Sequence, residues 1–181
     1  MGKVDTHKLA IDGKEPKNLR GDAISNDRYF CKEFMAKEWE HMWTKVWLIA
    51  GREVQIEEAG DYIVHDLITE SVIIVRQDDG SLKGFYNSCA HRGQRLVECS
   101  SFQTSFRCPY HDWEFGLDGN VISCPDEDDY PQGSPVGTRK LVEVRVDTWD
   151  GFIFYTMDKE APELMDYLDP IPEIYKNHNF K

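Results

Sequence analysis

Apolar positions change their period twice along the chain, and the changes divide it into three parts. Between Asn26 and Trp43, the residues Phe30, Phe34, Met35, Trp39, Met42 and Trp43 form a broad apolar stripe at helical spacing. Ser25 or Asn26 supplies a competent N-cap for that helix, and core packing is the expected fate of its aromatic rings. After Trp47 the period shortens. Tyr62-Ile63-Val64, Val72-Ile73-Ile74-Val75 and Phe85-Tyr86 are short β-branched or aromatic runs, with Asp78-Asp79-Gly80 as a tight turn between the last two. Asp118-Gly119 separates Trp113-Glu114-Phe115 from Val121-Ile122 in the same way. The stretch from Val142 to Asp147 alternates strictly, as a strand with one wet face does. Asp150-Gly151 then turns the chain into Phe152-Ile153-Phe154-Tyr155. Many short strands at short intervals predict a mainly β, antiparallel, sandwich-like domain behind an N-terminal helix. From Asp158 the pattern is helical or irregular, with Pro162 to Leu168 followed by Pro170 and Pro172. Residues 1–24 show neither period and read as a polar arm. The predicted boundaries are therefore 1–45 for arm and helix, 46–157 for the β domain and 158–181 for a tail.

Composition narrows the classes without naming one. A chain of 181 residues suits one domain with a sizeable core. Its 21 Lys and Arg against 33 Asp and Glu give a net charge of −12, which argues against nucleic acid or an anionic membrane as partner. No apolar run approaches the about 18 residues of a membrane span, and the N-terminus lacks the apolar core of a signal peptide. The expectation is a cytoplasmic protein.

The chemistry lies in two short loops, Cys89-Ala90-His91-Arg92-Gly93 and Cys108-Pro109-Tyr110-His111-Asp112-Trp113. Sixteen residues separate His91 from Cys108, giving the pattern C-x-H-x16-C-x-x-H. Two thiolates and two imidazoles suit a 2Fe–2S centre in which cysteines hold one iron and histidines the other. A structural zinc site uses the same four groups, but zinc sites usually draw both cysteines from one knuckle and both histidines from another. Here each loop supplies one of each. Cys31, Cys99 and Cys124 remain, and without an export signal they read as reduced thiols, small buried hydrophobes by expectation. His7, His41, His65 and His178 have no ligand spacing among themselves, and His65 reads as a packed or surface residue. Asp126-Glu127-Asp128-Asp129 has the charge to dock a basic partner, although such runs are ordinarily solvated loops.

The residues around the ligand pattern carry a family resemblance. Arg92-Gly93 after the first histidine, with Tyr110 and Trp113 flanking the second, resemble the Rieske domain of ring-hydroxylating oxygenase large (alpha) subunits. The likeness runs from about Trp47 to Tyr155 and includes Ala59-Gly60-Asp61-Tyr62, Phe85-Tyr86-Asn87-Ser88-Cys89 and Phe115-Gly116-Leu117-Asp118-Gly119. It implies a Rieske 2Fe–2S cluster on Cys89, His91, Cys108 and His111, reduced by a reductase or ferredoxin. It also implies an oxidoreductase component, of a dioxygenase or monooxygenase, in a homotrimer or larger assembly. Electrons would pass to a mononuclear Fe(II) in a catalytic domain, of the same or a neighbouring subunit. Nothing in this sequence matches the two-histidine, one-carboxylate motif of such an iron, so this chain alone is expected to transfer electrons and oxygenate nothing. Rieske proteins of respiratory complexes join their loops by a disulfide; the corresponding positions here are Gln94 and Tyr110, which cannot form one. A free-standing Rieske ferredoxin and a zinc-stabilised binding module remain as alternatives. The aromatic helix, Arg92-Gly93, the Tyr110/Trp113 pair and the tail favour the oxygenase domain.

Overall fold

Residues 26–178 and 180 are described, in a computed structural model. The polar arm and the Ser25 cap lie outside the described residues. The described residues divide into two units between Lys37 and Glu38. A 3-10 turn over Asn26–Tyr29 precedes helix α1, Lys32–Glu38, whose last residue falls in the second unit. A π-helical turn follows at Trp39–Trp43. The single helix expected over this stretch is therefore three short pieces. Along the later half of the expected stripe, Trp39 and Trp43 are half-buried and Met42 is exposed. Each change of helical pitch rotates the later side chains off the line that an unbroken α-helix would keep.

Among the described residues, ten strands make two antiparallel sheets. Strands β1 (Leu48–Arg52), β2 (Asp61–Leu67), β3 (Glu70–Arg76), β4 (Leu82–Tyr86), β5 (Ser101–Phe102), β9 (Glu143–Trp149) and β10 (Phe152–Thr156) form the larger one. Their order is β1-β10-β9-β4-β3-β2-β5. Strands β6 (Phe106–Arg107), β7 (Glu114–Phe115) and β8 (Val121–Ser123) form the smaller. Although far apart in that order, β1 and β2 approach each other, so the large sheet curls. A 3.0 Å hydrogen bond between His65 Nδ1 on β2 and the Tyr155 hydroxyl on β10 crosses the space inside the curl. His65 is thus a packed residue, and burial holds its pKa below the usual histidine value.

Alternation on β3 sorts the core. Val72 and Ile74 face the interior of the curled sheet with Ile63, Val144, Ile153 and Tyr155. Ile73 and Val75 face the other way, joining Tyr62, Phe85, Phe106, Phe115 and Val121 beneath the ligand loops. A strand buried on both faces reads as a continuous apolar run, as Val72–Val75 does. The predicted turns are present: Gly80 and Gly119 take positive φ, and Asp150-Gly151 takes it at both residues, the geometry of a hairpin turn matched to strand twist. The tail folds back into helices α2 (Leu164–Leu168) and α3 (Ile171–Tyr175). Leu164 and Leu168 pack on Trp47 and Phe154, and the Trp47 indole N–H donates to the Pro162 carbonyl at 2.9 Å.

Candidate metal centre

Both ligand loops are tips of β structure, and their backbones are alike. The first loop follows β4 and is closed by Cys89 N–H to Gln94 C=O and Gly93 N–H to Cys89 C=O, at 2.8 and 2.9 Å. The second joins β6 to β7 and repeats the pair with Cys108 N–H to Trp113 C=O and Asp112 N–H to Cys108 C=O, at 2.8 and 3.0 Å. The fourth residue after each cysteine has positive φ, Gly93 at 74° and Asp112 at 56°. Glycine takes that conformation without steric penalty, and aspartate is among the few other residues that tolerate it. The histidines break the symmetry, His91 lying two residues after its cysteine and His111 three after its own.

The four donors sort by element type. Cys89 and Cys108 are 3% and 1% exposed and lie within hydrogen-bonding reach of each other. Burial pushes the Cys89 thiol up to about 11, while the backbone N–H groups of His91 and Arg92 reach its sulfur and act in the opposite direction. The imidazoles of His91 and His111 pair at a centroid distance of 4.8 Å, both half-buried. Trp113 stacks on His91, at 4.8 Å and an interplanar angle of 7°. Burial, then the neighbouring His111, Arg92 and Arg139, hold the His91 pKa below its ordinary value. The Nδ1 atom of His91 is buried with no hydrogen-bond partner. Leaving such an atom unpaired costs about 1–3 kcal/mol, a deficit that a metal bond removes. Among the described residues, no three His, Cys, Asp or Glu side chains converge as around a single ion. Two thiols in one place and two imidazoles in another suit two metal atoms that each draw two protein ligands. The residues present therefore fit the cluster.

The histidine side opens on a cavity of about 410 Å³, lined by His91, His111, Asp112, Pro125, Asp126, Asp129 and Tyr130. The acidic run thus stands beside the imidazoles, as an exposed 3-10 turn over Glu127–Asp129. Tyr110 is exposed and lies against His111 at 3.9 Å. Arg95 is a brace, bonded to Asp66, Glu98 and the Val97 carbonyl, whereas Arg92 is exposed. Of the spare cysteines, Cys124 is buried in the core beneath the loops, and Cys31 is half-buried with its thiol donating to Glu33 at 3.1 Å. Cys99 is exposed, against expectation, because it lies in the irregular stretch leading to the edge strand β5.

Two residues of the site escape a reading of sequence. Asn87 is 4% exposed and donates to Ser71 Oγ and the Val97 carbonyl, while accepting from the Leu96 and Val97 N–H groups. It ties the strand entering the first loop to the segment leaving it. Tyr130 accepts the Trp113 indole N–H at 2.9 Å. Only the adjacency of Asn87 to Cys89 hints at the first, and no local spacing signals the second. Asn87→Ala is expected to lower stability by about 2–3 kcal/mol, since it strands several buried backbone groups at once. Urea titration measures this, and a loss below about 0.5 kcal/mol would show that water replaces the amide.

Fold and site together define an antiparallel β domain that presents two thiols and two imidazoles from two like loops. A profile of the Rieske 2Fe–2S domain matches residues 46–145, and the chain belongs to that family. It is a Rieske-type 2Fe–2S domain, consistent with the large subunit of a ring-hydroxylating oxygenase. The alpha subunit of biphenyl 2,3-dioxygenase from Rhodococcus jostii (strain RHA1) is 34% identical over 184 residues, covering 93% of this chain and 39% of that protein. The large oxygenase component of the naphthalene 1,2-dioxygenase system from Pseudomonas putida is 38% identical over 140 residues, covering 76% and 31%. The chain thus spans well under half the length of these relatives. Among solved structures, naphthalene 1,2-dioxygenase with indole in its active site superposes with a TM-score of 0.74 at 36% identity, covering 80% of this chain and 33% of that one. The apo form of a quaternary ammonium Rieske monooxygenase gives 0.79 at 28% identity, covering 86% and 45%. No helix among the described residues is long and apolar enough to cross a membrane.

Proposed function

We propose that this chain is the electron-transfer part of a ring-hydroxylating-type oxygenase large subunit, with Cys89 and Cys108 on one iron of its cluster and His91 and His111 on the other. The observation that carries the reading is the sorting of donors: thiols buried together, imidazoles together at the cavity, and an unpaired His91 nitrogen held away from water. A cluster bound there takes up and gives back one electron, at a potential between about −150 and +300 mV. The rest falls to the chain's own residues. His91 and His111 present imidazole edges to the cavity, where a partner can come close. Trp113, 1% exposed, keeps water from the His91 ring. Asp112, Asp126 and Asp129 give the cavity mouth a negative charge that suits a basic partner group.

In this reading the donor is a reductase or ferredoxin. The acceptor is a mononuclear Fe(II) in a catalytic domain of its own or a neighbouring subunit, in a homotrimer or larger assembly, in the cytoplasm. The named dioxygenase relatives support an aromatic substrate for the whole protein. The division into 1–45, 46–157 and 158–181 belongs to the same proposal, supported by β1 starting at Leu48 and β10 ending at Thr156. The expected result for the purified chain is iron and acid-labile sulfide in equal amounts, with a red-brown colour. Metal analysis that finds zinc, with no visible absorption, ends the reading.

A further inference from the structure

The segment after β8 returns over the ligand loops and leaves one aromatic residue at a decisive place. Asp129 N–H to Asp126 C=O and Gly133 N–H to Tyr130 C=O, both 2.9 Å, fix the backbone on either side of Tyr130. The Tyr130 ring stands nearly edge-on to the Trp113 indole, with centroids 5.8 Å apart at 70°. Its hydroxyl accepts the indole N–H at 2.9 Å. Trp113 is 1% exposed, so water has no access to replace that acceptor. Stacking holds two flat rings near-parallel but leaves them free to tilt together. The hydrogen bond removes that freedom from the indole, and the indole, parallel to His91 within 7°, passes the restriction to the imidazole. Tyr130 also lines the cavity onto which both histidines open.

Resting on the reading of Cys89, His91, Cys108 and His111 as cluster ligands, we infer that Tyr130 is a positioning residue of the metal centre, which sets the plane of the His91 imidazole through the Trp113 indole. The plane of a ligating ring decides its overlap with the metal and the electron density it gives. Partners beyond the ligand shell therefore alter metal affinity and electronic structure. No contact between Tyr130 and the metal is needed.

The test uses the full chain with its native cluster. Tyr130→Phe keeps the ring and removes the acceptor. Its expected iron and sulfide content matches the parent, but three properties change. The visible circular dichroism and the electron paramagnetic resonance g-values of the reduced protein shift, the midpoint potential moves, and a chelator removes iron about tenfold faster or more. In a Trp113→Phe background, which has no N–H to offer, the same substitution is expected to add nothing. Spectra and potential unchanged by Tyr130→Phe would overturn the inference. So would equal shifts in both backgrounds, which would mean that Tyr130 acts without Trp113. If Tyr130→Phe fails to load, Tyr130→O-methyltyrosine decides, since its ether oxygen still accepts. Parent-like spectra support the inference, and altered spectra or an unloaded chain overturn it. A parent chain free of iron and sulfide overturns the cluster reading and the inference together, whereas a loaded parent indifferent to Tyr130 overturns the inference alone.

Discussion

Chains carrying Cys89→Ala, His91→Ala, Cys108→Ala or His111→Ala are expected to emerge colourless, with iron and acid-labile sulfide reduced at least tenfold. On the proposed ligand assignment each substitution leaves one metal with a single protein ligand, and metal binding is coupled to the order of the loops that supply the ligands. The loss should be regional. Cys89, Cys108 and Trp113 share one core with Phe106, Phe115 and Val121, whereas the core inside the curled sheet includes none of the four substituted residues. Far-ultraviolet circular dichroism is therefore expected to keep most of its amplitude while near-ultraviolet signals from Trp113 fade. The histidine and cysteine variants separate once iron is stripped. Removing His91 also removes an unpaired buried nitrogen, so metal-free His91→Ala should be at least as stable as the metal-free parent. Metal-free Cys108→Ala should be less stable, because it empties space in a close-packed core. A fully loaded His91→Ala or Cys108→Ala chain would contradict the ligand assignment directly.

Gly119→Ala is expected to be strongly destabilising although it lies outside the ligand loops. An added Cβ would lie 2.4 Å from Cε1 and 2.9 Å from Cζ of Phe85, a ring with no solvent exposure. The residue also has φ of +87°, where an L side chain costs about 1–2 kcal/mol. Forcing extra volume into a packed core costs about 1–3 kcal/mol more. The sum, roughly 2–5 kcal/mol, is a large part of the about 5–15 kcal/mol that holds a typical domain together. Thermal unfolding should fall by about 10 °C. Gly80→Ala is the internal control. Its φ is +81°, but nothing lies within 4 Å of the added Cβ, so only the conformational cost applies. Equal shifts for the two variants would mean that Phe85 yields freely and that the packing account is wrong.

The parts legible in the sequence are those encoded locally. Asp150-Gly151 announces its hairpin because both residues accept positive φ, and Val72–Val75 announces a central strand because both faces are apolar. The ligand pattern is equally local, each loop carrying its cysteine and histidine within four residues. Strands β5 and β6, two residues each, are too short to show a period and exist only through their partners. β1 is missed for a different reason: its middle residues Ile49, Ala50 and Gly51 show no alternation, and a bulge between Ile49 and Gly51 shifts its register against β10. The aromatic stripe after Asn26 misleads because spacing reports which side chains would align on an ideal helix. It does not report whether the helix stays ideal. The hydrogen bonds of Asn87 and Tyr130 are hidden for a third reason, since they rest on partners that the fold alone brings near.

The matching backbones of the two ligand loops also bear on engineering. One six-residue shape, closed by the same two hydrogen bonds and marked by the same left-handed residue, serves twice. What distinguishes the copies is only whether the imidazole sits on the third or the fourth residue. A host scaffold thus has to present one hairpin tip in duplicate, at the right separation, and the choice of histidine position then aims each ring.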